Sequence, residues 1–376
     1  MKEIGIYIHI PFCKKKCHYC DFVSYDNKYE KVEKYIDTVI EDIDEETKSF
    51  TKEHLVTTVY LGGGTPSFIE SKYIKEILEK VRKSFNISGD AEITIEVNPG
   101  TVNEEKLKTY QMLGINRLSI GLQTTNDEIL KTIGRIHNYS EFLSTYNLAR
   151  KIGFENINVD LIFALPNQNI ENVKKDLENI IELNPEHIST YSLILEEGTK
   201  LEEMIKENEE KYVLPDDDTE RKMYWLIKNT LEKNGYKHYE ISNFAKQGKE
   251  SRHNINCWMQ KEYLAFGSAS HGFLDGVRYS NKKILSEYIF NFKNKDIEER
   301  LTREETAKEF MMLGLRMIDG VSISEFERKF KLNPLMYFRF EISKLVEEEL
   351  LEVDLDRIKL TNKGIDLANL VWEEFV

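Results

Sequence analysis

Ile4-Gly5-Ile6-Tyr7-Ile8-His9-Ile10-Pro11-Phe12-Cys13-Lys14-Lys15-Lys16-Cys17-His18-Tyr19-Cys20 stands near the start of the chain. The apolar run predicts a strand over 4–10, and three cysteines in CxxxCxxC spacing follow it directly. Moving outward, a helix is expected over 29–50, where Val32, Tyr35, Ile36, Val39, Ile40 and Ile43 keep the three-to-four spacing of one buried face. The alternation then repeats. Strands are expected over 56–61, 92–97, 117–122, 157–163 and 187–193, with helices over 73–85, 104–113, 139–152 and 170–183. Right-handed crossovers make all six strands parallel, as a doubly wound sheet or as a curved, incomplete barrel. In either case chemistry belongs at the carboxyl ends of the strands, where the cysteines lie.

Beyond Leu193 the rhythm breaks. The charge-rich stretch 196–211 and a loop at Leu214-Pro215-Asp216-Asp217-Asp218 lead into a helix over 219–234. Further helices are expected over 303–317, 322–330 and 335–350, then an alternating stretch over 351–360 and a last helix from Asn362. Helices around a β-hairpin predict a winged-helix-like tail. The chain thus divides into 1–195, 196–300 and 301–376. Residues 321–376 carry 8 basic and 12 acidic side chains, the wrong balance for a DNA reader, so the tail is expected to be structural or to dock a partner. The whole chain agrees: 376 residues, 40% hydrophobic, 52 Lys plus Arg against 66 Asp plus Glu, and a net charge of −14. That composition excludes disorder and disfavours nonspecific nucleic-acid binding. No apolar run reaches the roughly 18–20 residues of a membrane span, and residues 1–12 do not resemble a leader, so a cytoplasmic protein is expected.

Cys13, Cys17 and Cys20 fall within eight residues, whereas Cys257 stands alone. A dense, odd-numbered cluster in a reducing compartment points to a thiolate site for a metal or an iron–sulfur centre. Three thiolates hold three irons of a cubane and leave the fourth open to a ligand. A structural zinc is the alternative and needs a fourth ligand, for which His9 or His18 would have to serve. Gly62-Gly63-Gly64-Thr65-Pro66 follows the second strand and removes every Cβ where a ligand could approach the backbone. No Gly-Lys-Ser/Thr follows, which argues against a Walker-A loop. Glu96, Asn98, Gln123 and Asp160 each place a polar group in or just after a predicted strand, and Arg135 offers a carboxylate clamp.

Tyr-Ile-His-Ile-Pro-Phe-Cys, CxxxCxxC, Gly-Gly-Gly-Thr-Pro, Glu-Val-Asn-Pro and the Asp-Leu-Ile of 160–162 together resemble radical S-adenosylmethionine (SAM) proteins of the coproporphyrinogen dehydrogenase group. Within it, Asp21-Phe22 and His253-Asn254-Ile255-Asn256-Cys257-Trp258 are similar to the HemW heme chaperones. The resemblance implies an incomplete (β/α)6 radical SAM barrel. It implies a [4Fe-4S] cluster on Cys13, Cys17 and Cys20, with SAM on the open iron, contacted by Tyr7, Gly63 and Glu96 and cleaved reductively. Tyr19, Gly64, Thr65, Gln123, Arg135 and Asp160 match positions that contact a second SAM in the oxidases. His253 matches the axial heme ligand, with Phe244, Trp258, Tyr263 and Phe266 expected to line a heme site apart from the cluster, and His271 is expected at the central cavity. Cys257 departs from the family form, which has tyrosine there. The implied function is to bind heme and deliver it to an apo-hemoprotein, such as a membrane respiratory enzyme. The rival is an enzyme, an oxygen-independent coproporphyrinogen III dehydrogenase. Against it, those oxidases carry a further cysteine where this chain has Phe22.

Overall fold

A computed structural model of the protein describes residues 1–49 and 54–376. Six strands, β1 (Lys2–Ile10), β2 (His54–Gly63), β3 (Ile87–Val97), β4 (Arg117–Gln123), β5 (Ile157–Phe163) and β6 (His187–Ser192), lie side by side in chain order, every pair parallel. A doubly wound sheet would reverse its order at a switch point. Winding in one direction instead curves the sheet into a partial barrel, which decides between the two architectures left open by the sequence.

The intervening helices are α1 (Val32–Ser49), α2 (Ser71–Ser84), α3 (Glu104–Met112), α4 (Asp127–Thr132), α5 (Tyr139–Ile152) and α6 (Ile170–Leu183). Phe50, the expected end of the first helix, lies outside the described residues. Each helix buries one stripe. In α2 it is Tyr73, Ile74, Ile77, Leu78 and Val81. Capping boxes at Asn138/Glu141 and Asn169/Asn172 fix the starts of α5 and α6. The short α4, capped by Asn126, was not foreseen, because six residues are too few to show a period. β3 starts five residues before its expected limit. Ser88-Gly89-Asp90 has the composition of a turn, yet it runs as strand, exposed at Gly89 and Asp90, and the register with β2 jumps between Val56 and Thr58.

Residues 196–300 carry α7 (Lys200–Glu207), α8 (Asp217–Lys233), β7 (Lys237–Glu240), β8 (Asn243–Ala245), α9 (Arg252–Trp258), β9 (Tyr263–Phe266), β10 (His271–Leu274), β11 (Val277–Ser280), α10 (Leu285–Asn291) and β12 (Ile297–Arg300). All six strands join the same sheet. β8 and β7 extend it beyond β6, while β9, parallel to β1, leads β10, β11 and β12 on the other edge. Strands of three or four residues are too short to alternate visibly, so none was legible.

The tail comprises α11 (Arg303–Gly314), β13 (Val321–Ser322), α12 (Ile323–Phe330), α13 (Pro334–Tyr337), α14 (Arg339–Glu347), β14 (Leu351–Asp354), β15 (Arg357–Leu360), α15 (Asn362–Asp366) and α16 (Ala368–Glu373). Its strands form a small antiparallel sheet, β13-β15-β14. The single helix expected over 335–350 breaks at Phe338. No described helix is long and apolar enough to cross a membrane.

Candidate functional site

A cavity of about 370 Å³ opens at the carboxyl ends of the barrel strands. The loops after β1 and β2 are zipped together at its edge. Gly64 N donates to Ile10 O and Thr65 N to Phe12 O, both at 3.0 Å. Cys13 N donates to Tyr25 O at 3.0 Å, and Tyr25 N returns a bond to Pro11 O at 2.7 Å. The glycines of the second loop are needed for this approach. A Cβ at Gly64 would stand 3.0 Å from Cys13 Sγ, and Gly63, at φ +111°, would drive one into the His9 ring. Thr65 Oγ1 donates to Cys13 Sγ at 3.5 Å. Farther along, His18 N donates to Ile133 O, which ties the cysteine loop to the end of α4.

Cys13, Cys17 and Cys20 all border the cavity. Among the described residues no three His, Cys, Asp or Glu side chains are grouped closely enough to hold one metal ion. The histidines considered for zinc are engaged elsewhere: both ring nitrogens of His9 bond, to Tyr7 OH and Val23 O, and Nδ1 of His18 bonds Thr132 O. Burial pushes the Cys20 thiol up to about 11, so ligation there would have to displace a proton.

Gly63, Gly64, Thr65, Glu96, Gln123, Arg135, Asp160 and Tyr19 border the same cavity. Glu96 accepts from Tyr60 OH at 2.9 Å and from Gly63 N at 3.0 Å. Burial raises its carboxyl to about 7 against the pull of those donors, and the nearby Asp160 adds to the rise. Asp160 accepts from Ser119 Oγ and Asn158 Nδ2, and burial raises it also. Arg135 donates to Cys17 Sγ at 3.6 Å and to Asn98 Oδ1 at 2.7 Å, and also bonds Tyr19. Tyr19 packs against the small apolar cluster of Ile129, Leu130, Ile133, Ile162 and Leu165. Gln123 closes β4 in the left-handed region at φ 78°. Tyr7 does not line the cavity; its ring stacks on Tyr60, which does.

The expected heme surroundings do not assemble. His253 is buried, Nδ1 2.9 Å from Thr58 Oγ1, its ring stacked on Tyr60 at 5.2 Å. Of the four expected lining residues only Tyr263 meets that ring, edge-on at 6.3 Å. Phe244 stacks on His238, Phe266 packs on Phe85, and Trp258 lies under Arg316. The motif lies on the seven-residue helix α9, which turns successive side chains to different faces. Burial, with Arg117 nearby, lowers His253 to about 4 and keeps it neutral. Cys257 does not reach the cavity, and burial pushes its thiol up to about 12. His271 opens β10, between β9 and β11, with its side chain exposed, and does not line the cavity. Sequence reasoning passed over Arg117, Ser119, Asn158 and Tyr191, which line it together with Asn254 of the His253 motif. The alternation Arg117, Ser119, Gly121, Gln123 along β4 was the available signal.

A sequence profile of the Radical SAM superfamily matches residues 7–180, and one of the HemN C-terminal domain matches 301–367. Curated relatives named heme chaperone HemW include one from Lactococcus lactis subsp. lactis (strain IL1403), 39% identical over 100% of this chain and 98% of its own length. Another, from Bacillus subtilis (strain 168), is 35% identical over 98% of both chains. The chain belongs to the HemW family. That bears out the resemblance read from the motifs. The fold of this HemW-family chain matches the solved Escherichia coli coproporphyrinogen III oxidase, HemN, a radical SAM enzyme. The TM-score is 0.85 at 25% identity, covering 100% of this chain and 90% of the other.

Proposed function

We propose that this HemW-family chain is a cytoplasmic heme chaperone that carries a [4Fe-4S] cluster with SAM, binds heme and passes it to an apo-hemoprotein. The donor set fits the cluster: Cys13, Cys17 and Cys20 supply three thiols from one loop, and the space beside Cys13 Sγ exists only because Gly64 has no Cβ. When bound, such a cluster supplies a low-potential electron to SAM. Gly63 and Glu96 would hold the SAM amino-acid end, Glu96 presenting a carboxylate to its ammonium, while Tyr7 backs Tyr60. Tyr19, Gly64, Thr65, Gln123, Arg135 and Asp160 would bind what occupies the rest of the cavity. Arg135, bonded to Cys17 and Asn98, fixes the cysteine loop over the strand ends.

The observation that carries this reading is the hydrogen-bonded pairing of the cysteine loop with the glycine loop, which sets the thiols, Gly63 and Glu96 around one cavity. For heme to be held by His253, α9 would have to swing off β2. The test is anoxic purification with iron analysis and electron paramagnetic resonance, then heme titration and transfer to apomyoglobin as a generic acceptor. Iron near four per chain and transfer of bound heme are expected. Absence of heme uptake, together with conversion of coproporphyrinogen III to protoporphyrinogen IX, would replace the chaperone reading with the dehydrogenase.

A further inference from the structure

The floor of the barrel holds a cation that no described residue hydrogen-bonds or pairs. Arg117 opens β4 in register with Thr94 of β3, two residues below Glu96 and so about 7 Å deeper. Its side chain is 2% exposed yet borders the cavity. Among the described residues it has no hydrogen-bond or ion-pair partner, and its Nε is buried and unbonded. Thr94 Oγ1, on the same face of the neighbouring strand, is also buried without a partner. Glu96 and Asp160 feel the charge but bond other groups. Arg135 differs, because sulfur, amide and carbonyl acceptors occupy its guanidinium. A buried, unpaired guanidinium is costly unless an anion meets it.

At the mouth of the same cavity Phe22 and Ile194 offer apolar surface, each 69% exposed, beside Lys15 and Lys16. With apolar and cationic side chains at the rim and a cation at the floor, the cavity complements a flat apolar ring that carries carboxylates. We propose that Arg117 is the counter-ion for a carboxylate of the barrel's ligand, and that this ligand is heme, its ring against Phe22 and Ile194 and one propionate directed to Arg117. The naming of heme rests on the function proposed above; the carboxylate does not.

The test titrates the cluster-bearing protein with heme and with heme dimethyl ester, following the Soret band, for the unmodified chain, Arg117→Met and Arg117→Lys. Loss of a charge-assisted hydrogen bond should weaken heme binding by Arg117→Met at least about tenfold, with partial recovery in Arg117→Lys. The ester should bind all three alike. Equilibrium dialysis with SAM and decarboxylated SAM examines the other source of the same chemistry. A loss confined to SAM would keep the carboxylate site and overturn heme as its ligand. Unchanged affinities for all four ligands would overturn the site, leaving Arg117 as a counter-charge to Glu96 and Asp160. If the unmodified chain takes up no heme, the proposed function fails while the SAM pair still decides whether Arg117 receives a carboxylate. If Arg117→Met does not fold, the Arg117→Lys comparison of acid against ester carries the same decision.

Discussion

Burial holds the Glu96 carboxyl near pKa 7, so a substantial fraction is protonated at neutral pH. An ammonium ligand needs the carboxylate, and SAM affinity should therefore rise with pH through about 7 and then level off. The sign for folding is opposite. A carboxyl whose folded pKa exceeds its unfolded value of 4.5 favours the fold below pH 4.5, and that contribution fades as pH rises through 7. Glu96→Gln should lower SAM affinity about tenfold to a hundredfold and flatten the pH profile, as equilibrium dialysis between pH 6 and 8 would show. At the cluster, alanine at any of Cys13, Cys17 or Cys20 should remove the iron, whereas Cys257→Ala should retain it, read by iron analysis of anoxic protein. These residues were legible because their motifs abut strand ends. Arg117 was not: a lone arginine at the start of a strand has no local signal, and only the register with Thr94 shows what it lies beneath.

The helix α9 shows how an element can carry a motif yet bring only one of its residues, Asn254, to the cavity. Its first N–H groups, of Arg252 and His253, donate to the buried Glu92 carboxylate at 3.2 and 3.0 Å, and Ser251 caps Asn254. A carboxylate at a helix N-terminus is favourable in both charge and hydrogen bonding. Glu92→Gln should therefore cost about 1–3 kcal/mol, measured by urea unfolding. His253→Ala removes the Thr58 contact and the stacking on Tyr60, so it should lower the melting temperature and leave the Soret band of bound heme unchanged. A shifted band would mean that α9 opens and His253 ligates heme. The six long strands, and the helices between them apart from the short α4, were legible because period two shows over six or more residues and period three-to-four over nine or more. The sheet's outer strands were not, since their pairing comes from β1 and β6 rather than from any pattern of their own.

At the scale of the molecule, one hydrophobic core runs from the barrel helices into the tail, where Phe310, Phe326 and Phe338 join it. The seam between barrel and tail is also polar. Arg316 lies between two indoles, 4.4 Å from the Trp258 ring centroid and 4.7 Å from that of Trp372, and pairs with the buried Glu240 at 3.4 Å. Arg278 meets Glu309 at 2.7 Å, and Trp225 Nε1 donates to Asp366 at 2.9 Å. None of this was visible in the sequence, which showed the tail's helices and hairpin but not the residues joining them to α8, α9 and β7. A continuous core with a bonded seam should unfold as one unit. Arg316→Ala strips the cation from between the rings and leaves Glu240 buried without its counter-charge, a loss of about 2–4 kcal/mol. Calorimetry should then record a single transition at lower temperature, with iron content unchanged because the seam lies away from the cysteine loop. Two resolved transitions in the unmodified protein would instead mean that the tail melts independently, and the Arg316 substitution would then shift only one of them.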